Sequence, residues 1–354
     1  MPKYELKKLL KNSTNAPCLV VAEISGNHNG KLYNAIKLIK AAKKSGADAI
    51  KIQLYTPDYL TINSKKKDFL INSKNSWGKY KNLFNLYDKA QTPKKWYSKI
   101  LQECNKNKLI LFSSVFDLKT VDFLKKNKNP IYKIASPEIT DIPLIEKVAK
   151  LKKPVIISSG LASKKDLELA VKTLRKNFCK QIIILKCTSA YPAPLNELNL
   201  NTIKDYKKRF KIITGFSDHT KGINAALTAV SLGAKVIEKH IVLNKKLKTV
   251  DSFFSSDPQE FKLLVSGIRD VEKAMGKISY EISKGSVKNL SGRKSIYVIK
   301  KIKKKEKFSE YNIRCVRPSF GMHPKYFKWA IGKKSSRNLN PGDRLTLQSI
   351  SKKK

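Results

Sequence analysis

Several apolar runs in this sequence carry polar residues of the types used in catalysis. Glu23 closes the run Leu19-Val20-Val21-Ala22, and Lys51 and Gln53 sit within Ala49–Tyr55. Ser113 and Ser114 interrupt Leu109–Val115, and Lys133 and Ser136 lie in Ile131–Ser136, with Glu138 just beyond. Later runs end in Ser158-Ser159-Gly160, Cys187-Thr188-Ser189-Ala190-Tyr191, Ser217-Asp218-His219 and Glu238-Lys239-His240. Burying so many polar groups costs free energy unless each finds a partner or a ligand. Lysine supplies point charge and serine supplies donors without bulk. Lys51, Lys133, Ser114, Ser136, Ser158 and Ser217 therefore form a candidate cradle for a phosphate or carboxylate. Any one of these serines also fits an ordinary hydrogen-bonded polar layer, and Lys133 has the type needed for a Schiff base.

The chain has four histidines: His28, His219, His240 and His323. His219 and His240 end two successive runs. If those runs are neighbouring strands, the two imidazoles meet. Two imidazoles, a carboxylate such as Glu23 and open water positions suit a divalent transition metal. Glu23, flanked by apolar residues, should have a raised pKa suited to proton transfer; it equally suits a buried ion pair with Lys51 or Lys133.

The elements that must position these groups alternate in kind. β-Branched runs at 18–25, 49–55, 109–115, 131–136, 155–159, 182–188, 212–217 and 236–242 are separated by segments of helical period such as Leu32–Lys44, Lys94–Asn107, Lys164–Lys176 and Asn224–Leu232. Gln259–Met275 follows as a further amphipathic helix. Eight such units predict a (β/α)8 barrel, in which strand ends converge on one pocket. The rival open sheet lacks its fingerprint, because Gly26-Asn27-His28-Asn29-Gly30 is not GxGxxG. The segment Thr56–Thr92 is long for a plain barrel loop and holds Trp77, Tyr59, Tyr80 and Tyr87, which predicts a lid or insertion on the functional face. The barrel is expected over residues 1–275, a Gly/Ser/Lys linker over 276–292 and a small second domain over 293–354, too short for a large core of its own.

Lys and Arg number 74 against 27 Asp and Glu, a formal net charge of +47. That balance admits a polyanion-binding protein, a partner of nucleic acid or anionic lipid. Only eight of the basic residues are Arg, and the lysines are spread along the whole chain, unlike the arginine forks that read phosphates and base edges. Neither nucleic acid nor membrane is therefore expected as a partner. The hydrophobic fraction of 41% excludes a disordered polycation. No run approaches a membrane span, and the five cysteines are odd in number with no CxxC spacing, so a cytoplasmic protein with reduced thiols is expected.

Taken together, Glu23–Gly30, Tyr132–Glu138, Ser217–Thr220 and Glu238–His240 resemble the sialic acid synthases. That family condenses phosphoenolpyruvate with an acylated amino sugar to give a nine-carbon nonulosonic acid and phosphate. Gln53–Asp58, Leu86–Ala90, Ser189–Pro194, Asp251–Ser255 and Arg317–Pro324 are most similar to its pseudaminate-forming branch, with the neuraminate and legionaminate branches as alternatives. The resemblance implies a (β/α)8 TIM barrel followed by a small antifreeze-like (SAF) domain. It also implies a divalent metal, Mn2+ or Mg2+, on His219 and His240. Phosphoenolpyruvate would be held by Lys51, Ser114, Lys133, Ser136, Ser158, Ser189 and Ser217. Gln53, Tyr191 and Asp251 would contact the sugar, Glu23 would move a proton, and Arg317 would reach the N-acyl group from the partner of a domain-swapped homodimer. Two positions depart from the family pattern. Ser189 stands where neuraminate-forming members tend to carry Asn, which favours the pseudaminate branch. Ser319 stands where Gly often follows the Arg-Pro pair, which puts the reach of Arg317 in question.

Overall fold

The computed structural model describes residues 16–351, which divide into two compact units between Gly276 and Lys277. The first is a closed barrel of eight parallel strands in sequential order: β1 (Leu19–Glu23), β2 (Ala49–Gln53), β3 (Ile110–Val115), β4 (Tyr132–Ile134), β5 (Val155–Ser158), β6 (Ile182–Cys187), β7 (Ile213–Asp218) and β8 (Val236–His240). β8 pairs with β1 and closes it. The expected (β/α)8 architecture is the one observed.

Strand alternation makes the site. Side chains two apart point the same way, and Leu19 and Val21 of β1 share a buried cluster with Ala49, Ile110, Phe112, Ile131, Ile156, Ile183, Leu185, Ile213 and Val236. These side chains fill the barrel interior. One step further along the same faces come Glu23, Lys51, Ser114, Lys133, Ser158, Cys187, Ser217 and Glu238. The barrel is thus apolar up to its carboxyl-terminal layer and polar there, all of it buried. Gly215 occupies the inward position of β7 below Ser217, where a Cβ would lie 2.4 Å from the Val236 carbonyl oxygen.

The opposite strand faces pack against the helices in a second, larger apolar cluster, whose members include Val20, Ile50, Leu111, Ile157, Ile184 and Ile237. The helices are α1 (Leu32–Lys44), α2 (Leu83–Ala90), α3 (Tyr97–Lys106), α4 (Leu118–Lys126), α5 (Ile142–Ala149), α6 (Lys164–Lys176), α7 (Thr202–Phe210), α8 (Asn224–Ser231) and α9 (Pro258–Met275). α9 begins with Pro258 after a capping box formed by Asp257 and Glu260. Its Arg269 ties back to Asp48 at 2.7 Å and to the Cys18 carbonyl at 2.8 Å, joining the last helix to the amino-terminal end of the barrel. The segment after β2 is more ordered than an irregular loop. Asn82 caps α2 through the Asn85 amide, and the Leu54–Thr92 bridge returns the chain to the barrel edge.

The second unit contains α10 (Lys284–Val287), the antiparallel pair β9 (Ser295–Val298) and β10 (Ile313–Val316), and α11 (Phe327–Ala330). It has its own core of Ile296, Val298, Ile302, Phe308, Ile313, Met322, Ala330, Leu339 and Leu345. Arg344 makes an isolated antiparallel bridge to Tyr297. Among the described residues no helix is long and apolar enough to cross a membrane.

Candidate active site

At the barrel mouth, Lys51 Nζ lies 2.8 Å from Glu23 Oε2, 3.2 Å from Glu238 Oε1 and 3.3 Å from Ser114 Oγ. Strand register explains the grouping, since Glu23 is level with Lys51 on one side and His240 on the other. Glu23 Oε1 accepts from the Ser25 amide at 2.7 Å and from Gln53 Nε2 at 3.3 Å. Ser217 Oγ donates to Glu238 Oε1 at 2.9 Å. The two carboxylates differ in character. Burial raises Glu23 above the usual carboxylate range despite Lys51. Burial would also raise Glu238, but Lys51 and Lys133 outweigh it and hold it below that range. Burial works against the Lys51 ammonium as well, yet the two carboxylates keep it above its ordinary value. Of the two, Glu23 takes up a proton more readily and Glu238 holds its charge more firmly.

Lys133 has different surroundings. Its Nζ donates to Ser158 Oγ at 2.6 Å and to the Ile134 carbonyl at 3.1 Å, with no carboxylate within ion-pair distance among the described residues. Burial lowers it to about 8. Around it, Ser136 Oγ accepts from the Gly160 amide at 3.0 Å, and the buried Ser189 Oγ has no hydrogen-bond partner. A Cβ at Gly160 would lie 2.2 Å from Ser189 Oγ, 2.8 Å from Ser136 Oγ and 3.0 Å from Cys187 Sγ. Glycine there keeps a small polar hollow open.

The His219 and His240 rings face each other edge to face, 5.5 Å apart. His219 Nδ1 donates to the Thr188 carbonyl at 3.0 Å, which in the neutral ring places the lone pair on Nε2; burial works against its charge, but Cys187 and the Thr188 carbonyl raise its pKa. His240 Nδ1 is buried without a hydrogen-bond partner. Burial, then His219, Lys51 and Lys239, keep His240 well below the usual imidazole range, in its neutral, ligating form. The donor set fits a divalent cation held by two imidazoles, its other positions left to water or substrate. Among the described residues no three metal-ligating side chains are gathered in one group. One expectation needs correction: the carboxylate beside the imidazoles is Asp251, whose Oδ2 lies 3.9 Å from His240 Nδ1. Glu23 is held away by Lys51, Ser25 and Gln53. Lys239 and Asp218 point outward and form a separate buried ion pair at 2.7 Å, bracing β7 against β8.

The loop after β8 is pinned over the mouth. Asn27 Nδ2 donates to the Ile241 carbonyl and to Ser255 Oγ, both at 2.9 Å, while its Oδ1 accepts from Thr249 Oγ1 at 2.7 Å and from the Asp251 amide at 3.2 Å. Asp251 also accepts from Ser25 Oγ, and burial raises its pKa. Tyr191 is tilted against His219 at 4.4 Å and against Phe254 at 5.0 Å. Arg317 lies in the second unit, exposed, just after β10. His28 stays outside this group. It is buried against Trp96 and accepts from the Gly30 amide, and burial lowers it to about 4.

Of the sequence-predicted residues, Glu23, Lys51, Gln53, Ser114 and Ser217 therefore belong to one network through Lys51, while Lys133, Ser136, Ser158 and Ser189 line the hollow. His219, His240, Tyr191 and Asp251 form the third group. Sequence reasoning missed Glu238, Ser25, Asn27 and Cys187 as members. Glu238 carried a signal, its place two residues before His240 on the inward face of β8.

A closed parallel barrel whose mouth gathers two buried carboxylates, two buried lysines and a pair of facing imidazoles is the arrangement of an enzyme active site. The chain belongs to the NeuB family, whose model matches residues 38–280. It is 44% identical over 333 residues to the pseudaminic acid synthase of Campylobacter jejuni, covering 94% of this chain and 96% of that one. It is 40% identical over 335 residues to the pseudaminic acid synthase of Helicobacter pylori, covering 94% and 98%. Among solved structures, the N-acetylneuraminic acid (sialic acid) synthetase of Leptospira borgpetersenii, in complex with citrate, superposes with a TM-score of 0.69 at 31% identity, over 78% of this chain and 91% of that one. The chain is an enzyme, a condensing transferase.

Proposed function

We propose that this enzyme condenses phosphoenolpyruvate with a 2,4-diacetamido-2,4,6-trideoxy-altrose to give pseudaminic acid and phosphate. The observation that carries the reading is Lys133. An ammonium buried with serines and without a carboxylate matches the phosphate of a small dianion, which supplies the missing charge. Similarity to pseudaminic acid synthases over most of the chain supports the choice of sugar.

In this mechanism Lys133, Ser158, Ser136 and Ser189 hold the phosphate, and Lys51 with Ser114 and Ser217 orients the enol carboxylate end. Carbon 3 of phosphoenolpyruvate bonds to the aldehyde carbon of the open-chain sugar. Water adds to carbon 2, and phosphate leaves with cleavage of its C–O bond. Glu23, protonated more readily than Glu238, passes a proton at the reacting centre, while ionised Glu238 keeps Lys51 charged. Gln53, Tyr191 and Asp251 position the sugar. His219 and His240 would hold Mn2+ or Mg2+, which when bound supplies Lewis-acid polarisation of the aldehyde. The reading also carries a homodimer in which Arg317 of one copy serves the sugar bound by the other, a reduced-thiol cytoplasmic setting and an antifreeze-like fold for the second unit.

The test is phosphate release from phosphoenolpyruvate against a panel of N-acetylmannosamine, its 6-phosphate and 2,4-diacetamido-2,4,6-trideoxy sugars. A preference for the altro-configured diacetamido sugar is expected. Preference for N-acetylmannosamine would move the enzyme to the neuraminate branch.

A further inference from the structure

Trp77 links the segment after β2 to both flanks of the histidine pair. Its indole Nε1 donates to the Val250 carbonyl at 2.9 Å, one residue before Asp251. Its ring packs edge-on against Tyr191 at 5.2 Å and against Phe253 at 5.6 Å. Tyr191 in turn lies against His219. Trp77 therefore stands one ring beyond Tyr191, counting outward from the imidazoles. It is only half-buried, so part of its aromatic surface stays open. The rest of the segment gives it a rigid base, because Trp77, Tyr80, Tyr87 and Ile71 pack on Leu86, Ala90 and Val250.

The inference rests on the proposed reading that an acylated amino sugar reacts at its aldehyde beside His219 and His240. An extended six-carbon chain spans about 6 Å from carbon 1 to carbon 6. Tyr191 lies 4.4 Å from His219 and Trp77 a further 5.2 Å from Tyr191, so a sugar that reacts beside the imidazoles and lies along Tyr191 turns the groups at its far end toward Trp77. Aromatic rings favour apolar partners over hydroxyls. We propose that Trp77 is a specificity-determining residue, whose indole takes an apolar substituent at the far end of the sugar, either its terminal 6-deoxy methyl or its 4-N-acetyl methyl. The same indole braces Tyr191 and the Asp251 loop in place.

The test compares wild type, Trp77→Ala and Trp77→Phe on three sugars: the 2,4-diacetamido-6-deoxy sugar, its 6-hydroxy counterpart and the 2-monoacetamido-6-deoxy sugar. With the first sugar, Trp77→Ala should raise the sugar KM roughly tenfold. The phosphoenolpyruvate KM should stay within about twofold, and Trp77→Phe should recover part of the loss. The penalty should vanish on the 6-hydroxy sugar if the methyl is the contact, or on the monoacetamido sugar if the acyl group is. An equal penalty on all three sugars, or an equal rise in both KM values, would overturn the inference in favour of a merely structural role. A second readout does not depend on turnover. The chain has three tryptophans, and the fluorescence change on adding sugar to the phosphoenolpyruvate complex should be present in wild type and lost in Trp77→Phe. An identical change in both proteins overturns the inference alone. Wild type that binds and turns over none of these sugars overturns the proposed function, and the inference with it.

Discussion

Replacing Lys133 with methionine separates function from stability, because the two should move in opposite directions. Lys133 is 1% exposed and its ammonium is lowered from 10.5 to about 8 by burial. A shift of that size means the charged form is disfavoured by about 3 kcal/mol in the folded protein relative to the unfolded chain. For a lysine with a depressed folded pKa, the unfolded chain binds more protons between about pH 8 and 10.5, so stability rises with pH across that window. Below pH 8 the cost is fully present. Methionine keeps the length of the stem and removes the charge, while the hydrogen bonds to Ser158 Oγ and the Ile134 carbonyl are lost at about 1 kcal/mol each. Thermal unfolding at pH 7, followed by circular dichroism, should therefore show Lys133→Met more stable than wild type by about 1 kcal/mol. The pH dependence between 8 and 10.5 should flatten. Phosphoenolpyruvate binding should fall, since a hydrogen bond to a charged group is worth about 1.5–3 kcal/mol, or roughly 10- to 200-fold in affinity. Isothermal titration with phosphoenolpyruvate measures this directly. A variant that is less stable than wild type and binds phosphoenolpyruvate as well would refute the assignment of Lys133 as an ammonium awaiting an anion.

Further perturbations probe the neighbouring groups. Glu23→Gln should cut kcat about 10²- to 10⁴-fold while phosphoenolpyruvate KM changes far less; a near-wild-type kcat, with circular dichroism showing an intact fold, would remove its proton-transfer role. Gly160→Ala puts a Cβ 2.2 Å from Ser189 Oγ and 2.8 Å from Ser136 Oγ, so phosphoenolpyruvate KM should rise about tenfold or more with the fold retained, and an unchanged KM would mean that the hollow does not hold substrate. Incubation with EDTA should abolish turnover and Mn2+ should restore it, whereas activity indifferent to chelation would exclude a metal on His219 and His240. Asp218→Asn should cost about 3–5 kcal/mol by stranding the buried Lys239, and a Tm equal to wild type would show that this pair does not brace β7 on β8.

Strand alternation made much of this legible in advance. Leu19, Val21 and Glu23 share one face, and the same two-residue period puts Lys51, Ser114, Ser158 and Ser217 at the same barrel end. Neighbouring strand ends then had to bring His219 to His240. Pairing within that layer was not legible, because it depends on register around a closed barrel. Glu23 could meet either lysine or a metal on sequence grounds; the β1–β2 register gives it to Lys51, and closure of β8 on β1 brings Glu238 to the same ammonium. Ser217 looked like a phosphate ligand of the same kind as Ser158, yet it donates to Glu238 while Ser158 accepts from Lys133. The 56–92 segment offered only aromatic residues in a long connection. The contact of Trp77 with Val250 spans 173 residues and leaves no local trace. In the second unit, isolated bridges replace long strands, so periodicity had little to register.

The most direct measurement follows both products of the wild-type enzyme supplied with Mn2+, phosphoenolpyruvate and 2,4-diacetamido-2,4,6-trideoxy-altrose. One phosphate should appear for each nine-carbon acid detected by mass spectrometry, and neither should form when either substrate is left out. Phosphate released without the sugar, or no nine-carbon acid from an intact and metal-replete enzyme, would contradict the proposed condensation.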